Sequence, residues 1–136
     1  MSDFTVKRVD EMPTSFGGGF VLARASLGVK SFGLQVLKMP PGAAGPEHAH
    51  RGTTGERAEV ANDDQEEVYF GLDGKAFLLL GDDGEVELTE GVMVRCGPEQ
   101  TRQLTTRDDS ATVLAIGAMP GKTYTPPAFT ELAAAD

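Results

Sequence analysis

Short apolar runs broken by turn residues dominate the chain, and nothing in it carries the spacing of a long amphipathic helix. FTVKRV at residues 4–9 alternates and predicts a strand, followed by a glycine turn at Gly17, Gly18 and Gly19. FVLARASL (20–27) and FGLQVLKM (32–39), separated by residues 28–31, predict a hairpin. Pro40 and Pro41 end its second strand, because proline cannot donate to a ladder. EVYFGL (67–72) is a strand, and Asp73-Gly74 reads as a hairpin turn into KAFLLLG. EVEL, VMVRC, TRQLTT and TVLAIG are further strands, with turns at Asp82-Asp83-Gly84, Glu90-Gly91, Gly97-Pro98 and Asp108-Asp109. The tail PGKTYTPPAFTELAAAD predicts a proline-rich segment and a single turn of helix packed along the outside.

Many short strands with regular turns argue for an all-β sandwich or barrel. Two features qualify that picture. Residues 51–66, RGTTGERAEVANDDQE, are charged and aperiodic, which predicts a surface loop. A loop of this length in a compact domain tends to be functional or mobile. It reads as a rim or cover over a pocket, or as a tolerated insertion. FLLL and VLAI are apolar on both faces, so each needs cover on both sides. The interior covers one side. A second copy of the chain or the chain ends cover the other, and from this a homodimer is expected.

Composition narrows the function. At 136 residues the chain is most simply one domain, 1–136, large enough to bury a core. A net charge of −9 without a basic cluster argues against nucleic acid and anionic membrane as partners, leaving a small molecule. No apolar run approaches a membrane span and no apolar leader opens the chain, so a cytoplasmic location is expected. The single cysteine, Cys96, ends an apolar strand and reads as a small buried hydrophobe.

The candidate chemistry sits between residues 42 and 74. This stretch holds both histidines of the chain, His48 and His50, with one residue between them. On a strand they project to one face, about 6.6 Å apart along the backbone. Glu67 follows on a later strand, on the face it shares with Tyr69, whereas Glu66 points the other way. Two imidazoles and a carboxylate facing a common point suit a divalent transition metal.

The spacing of these residues resembles the cupin superfamily. Gly42, five residues, His48-x-His50, Glu67, six residues and Gly74 match the first cupin motif, preceded by Pro40 and Pro41. A second motif spans 91–106 and begins at Gly91. The resemblance implies a double-stranded β-helix, the jelly-roll barrel, with Fe, Mn, Ni, Co or Zn on His48, His50 and Glu67. It also implies a small organic ligand, since many cupins are dioxygenases, isomerases or decarboxylases. The chain departs from the pattern twice. Residues 51–66 replace a spacer of three or four residues, and Arg102 stands where the second motif supplies a fourth ligand, a histidine.

Three readings of Arg102 follow. It turns outward and leaves a three-ligand metal site; or, with the histidines, it binds an anion such as a carboxylate without metal; or it pairs with Glu67 or Glu99. Tyr69 and Gln103 are candidate polar contacts for a ligand. Arg95 belongs either beside Arg102 or on the outer face. Met39 and Met93 read as core fillers.

Overall fold

The computed structural model describes residues 2–53 and 58–136. Ten strands occur among them: β1 (Thr14–Ser15), β2 (Phe20–Val21), β3 (Gly33–Met39), β4 (His48–Ala49), β5 (Glu59–Val60), β6 (Glu66–Leu79), β7 (Glu85–Thr89), β8 (Met93–Cys96), β9 (Gln103–Thr105) and β10 (Ala111–Ala118). One short helix, α1 (Ala23–Leu27), and four 3-10 turns complete the chain. No helix among the described residues is long and apolar enough to cross a membrane.

β6 organises the rest. Its first half, from Glu67 to Phe70, lies between β10 and β8. Its second half, from Lys75 to Leu79, lies between β7 and β9. One strand thus passes from one wall of the barrel to the other. Sequence predicts a hairpin turn at Asp73-Gly74, and this is corrected: the ladder runs through both residues. Val113 faces Gly71 and Thr112 faces Asp73, so Leu72 is the extra residue of a bulge, a device that bends a strand and increases its twist. Gly74 lies in the left-handed region at φ 71°, and a Cβ there would stand 1.9 Å from the Ser110 carbonyl oxygen. The turn chemistry of Asp-Gly is real, but the long ladder to β10 makes it a bend.

Of two other expected strands, one is cut short and one is absent. Residues 20–27 begin as β2, paired with β3 through Phe20↔Leu37 and Val21↔Val36, and then become α1. Ala23, Arg24, Ala25 and Leu27 favour helix, and Gly28 closes it with φ 79° and its N–H on the Arg24 carbonyl. Residues 4–9 form no ladder, only the start of a 3-10 turn at Val9–Glu11, and Phe4 and Val6 stand exposed. Their alternation is intact, but no described strand pairs with them. The tail is proline-rich as expected, with two short 3-10 turns, Ala128–Thr130 and Leu132–Ala134, where the sequence predicts one turn of helix.

The interior holds Tyr69, Ala76, Leu78, Leu88, Cys96, Leu104, Ala111, Val113 and Ala115. A second cluster, Met12, Val21, Ala23 and Val36, packs with Leu27, Leu34 and Leu114. Leu114 thus leaves β10 on the face opposite Val113 and Ala115, and the chain's own N-terminal region covers it. Cys96 is buried as expected. Met39 packs against the core, whereas Met93 is largely exposed, which corrects its reading as a filler.

Candidate metal centre

β4 brings the histidines to the barrel. The His48 N–H donates to the Arg102 carbonyl at 2.9 Å, and the Arg102 N–H donates back at 2.8 Å. The His50 N–H donates to the Pro98 carbonyl at 2.8 Å. On the other side β4 runs parallel to β5, with His48 opposite Glu59. The segment after His50 therefore folds back beside the site. Residues 54–57 of the expected loop lie outside the described residues.

His48, His50 and Glu67 converge. One ligand atom from each lies within 4.8 Å of the others, and the two imidazole rings meet edge to face at 5.1 Å. His48 Nδ1 donates to the Pro46 carbonyl at 3.0 Å. His50 Nδ1 donates to Asp63 Oδ1 at 2.6 Å. With an acceptor on Nδ1, the neutral ring carries its lone pair on Nε2, whereas the protonated ring donates from both nitrogens. Both Nε2 atoms face Glu67 Oε1, His50 at 2.9 Å and His48 at 3.9 Å. The longer contact is electrostatic, beyond hydrogen-bond range. This donor set, with each histidine oriented by an acceptor behind it, fits a divalent ion.

Arg102 is wholly buried. Its Nη1 donates to the Gln100 carbonyl at 2.6 Å, and its Nη2 pairs with Glu67 Oε1 at 3.2 Å. That ion pair lacks the alignment of a hydrogen bond, and Nε has no acceptor. Of the three readings of Arg102, the inward ion pair with Glu67 is the arrangement seen. Tyr69, also buried, donates its hydroxyl to the same Glu67 oxygen at 3.1 Å. Gln103 lies one residue beyond Arg102 and gives its amide to the Gly45 carbonyl at 2.9 Å. Glu66 is turned away, paired with the exposed Arg95 at 2.6 Å, which places Arg95 on the outer face.

Electrostatics follow from these contacts. Burial disfavours the Glu67 carboxylate, but the His48 and His50 imidazoles and the Arg102 guanidinium outweigh it and hold Glu67 well below the usual carboxylate range. Burial likewise disfavours the His50 imidazolium, yet Glu67 and then Asp63 raise its pKa above the ordinary value. Burial, reinforced by the Glu67 charge, pushes the Tyr69 phenol up, so it remains a donor. With His50 protonated, the chain Asp63–His50–Glu67–Arg102 alternates in sign and sums to zero.

Asp63 and Gln65 were not singled out by sequence reasoning. Gln65 is buried and donates its side-chain amide to Asp63 Oδ2 at 2.9 Å. Both lie in the charged segment read as a loop, where nothing distinguishes Asp63 from Asp64 beside it.

Solved structures of the same shape include cupins. A cupin protein from Bacteroides fragilis superposes with a TM-score of 0.68 and 23% identity, covering 93% of each chain. This is a cupin fold. A cupin-like protein from Thermotoga maritima gives a TM-score of 0.56 at 17% identity, covering 73% of this chain and 64% of the other. A polyketide cyclase from Streptomyces resistomycificus gives 0.54 at 18% identity, covering 74% and 65%. No family model and no curated protein matches the sequence. The cupin jelly roll is thus established by shape, and His48, His50 and Glu67 converge within it.

Proposed function

We propose that this cupin binds one divalent transition metal on His48, His50 and Glu67, and takes a small organic molecule at the positions left open. The observation that supports this reading most directly is the acceptor behind each histidine: Pro46 O for His48 and Asp63 for His50. A bound Fe, Mn, Ni, Co or Zn would supply Lewis-acid or redox chemistry, the basis for an oxygenase or isomerase. Tyr69 orients the Glu67 carboxylate. Arg102 balances its charge and so serves the ligand through Glu67, and Gln103 steadies the adjoining Gly45 segment. The polyketide cyclase of like fold supports an enzymatic role, though one fold of this kind hosts many activities.

The test is elemental analysis of the purified protein, followed by titration of the metal-free protein with Fe, Mn, Ni, Co and Zn. About one ion per chain is expected, lost on His48→Ala or Glu67→Ala. Failure of every metal to bind would leave the second reading, a metal-free module for a small anion. With His50 protonated, the chain Asp63–His50–Glu67–Arg102 balances its charges without an ion, which supports the metal-free half of that alternative.

Assembly and location follow separate observations. Exposed Phe16, Phe129 and Leu132 support a homodimer, tested by light scattering across concentration. The free, buried Cys96 agrees with a reducing cytoplasm, and the net charge of −9 with a small-molecule partner, not nucleic acid or membrane.

A further inference from the structure

Residues 58–66, just before Glu67, are built around one carboxylate. Asp63 Oδ1 accepts from His50 Nδ1 at 2.6 Å and from the Gln65 backbone N–H at 3.2 Å, while Oδ2 accepts from Gln65 Nε2 at 2.9 Å. Asp63 is flanked by Asn62 at φ 51° and Asp64 at φ 61°, both in the left-handed region that non-glycine residues seldom adopt. Each strained neighbour is tied down. Asn62 Oδ1 accepts from the Gly52 N–H at 3.2 Å. The Asp64 N–H donates to the His50 carbonyl at 3.0 Å, and its carboxylate takes Arg51 Nε at 2.8 Å and Lys122 Nζ of the C-terminal tail. Asn and Asp are the non-glycine residues that reach this region most readily, and here their side chains are fixed by partners outside the turn.

We infer that Asp63 is a positioning residue, which fixes the ring of His50 so that Nε2 faces Glu67, and that the Asp64 clamp to Arg51 and Lys122 holds Asp63 in place. The inference deepens the metal reading and rests on it for its ligand. The charged segment then has a stated purpose: it closes behind His50 and supplies the acceptor that β4 lacks. His48 needs no such device, because Pro46 O, two residues back in the chain, serves it.

The experiment compares wild type, Asp63→Ala and Asp63→Asn, with Asp64→Asn as a variant outside the hydrogen bond to His50. The first readout is nitrogen-correlated NMR of the imidazoles in metal-free protein. Wild type should show a protected, downfield Nδ1 proton on His50. Asp63→Ala should lose it while His48 keeps its own signal, and Asp63→Asn, which retains an acceptor oxygen, should keep it. The second readout is zinc affinity by calorimetry. Asp63→Ala should lose roughly 10- to 100-fold, Asp64→Asn less, and Asp63→Asn should recover most of the loss. Unchanged His50 signals in Asp63→Ala, or equal loss at His48 and His50, overturns the inference. If wild type binds no metal, the proposed function falls, and the imidazole signals still decide the role of Asp63.

Discussion

Arg102 and Glu67 face each other inside the barrel, Nη2 to Oε1 at 3.2 Å, with the guanidinium wholly buried. A cation therefore stands beside the carboxylate that completes the candidate ligand set. Glu67 Oε1 also accepts from His50 and Tyr69, so one oxygen collects three neighbours. A metal at this position has to share the carboxylate with Arg102. Charges of +1 and +2 at 5 Å repel by about 6.6 kcal/mol at an effective dielectric near 20, an order-of-magnitude value.

Replacing the cation tests that conflict. Arg102→His removes the repulsion and adds an imidazole, and metal affinity measured by calorimetry should rise at least tenfold. Arg102→Met removes the partner of a buried carboxylate. It should cost about 3 kcal/mol in urea denaturation of the metal-free protein, the lower end for a broken buried pair, because His50 and Tyr69 still hold Glu67.

The pH dependence has two limbs. The Glu67 pKa is depressed, so its contribution to stability is fully present above the ordinary value of 4.5 and is lost as pH falls through the lower, folded value. The His50 pKa is raised, so its contribution is fully present below 6.5 and is lost as pH rises through the folded value. Thermal denaturation of metal-free protein should show greatest stability between these two ordinary values, with a decline on the alkaline side that His50→Gln abolishes. Metal binding opposes the His50 proton, so affinity should increase with pH over the same range.

Gly74 bears on the barrel's bend. Gly74→Ala places a Cβ against the Ser110 carbonyl in a left-handed conformation. The conformation alone costs roughly 1–2 kcal/mol, and the clash with backbone adds to it. Chemical denaturation should show a loss of at least about 2 kcal/mol, with the metal site weakened as well, because β6 carries both Gly74 and Glu67.

Cys96 should be inert. It is 1% exposed and burial raises its pKa, so little thiolate exists to react. A thiol reagent such as dithionitrobenzoate should give no signal with native protein and one equivalent after unfolding.

Local pattern was enough for an all-β barrel, the motif spacing for its cupin form, and both for the convergence of His48, His50 and Glu67. Strand alternation puts His48 and His50 on one face and separates Glu67 from Glu66 whatever surrounds them, and the structure bears out both. Period-two geometry belongs to the backbone itself and is therefore written in the order of residues. Where a segment's fate depends on what lies beside it, the same reasoning fails. The alternation at residues 4–9 finds no partner strand, and Asp73-Gly74 bends within a ladder because β10 pairs on both sides of it. Asp63 is one acid among several until Asn62 and Asp64 turn it toward His50. The inward pairing of Arg102 arises because Glu67, Tyr69 and Gln100 meet there from different parts of the chain. Sequence alone determined which residues share a face. Tertiary structure decided which charges share a space, because the cost of burying a charge is set by neighbours distant in the chain.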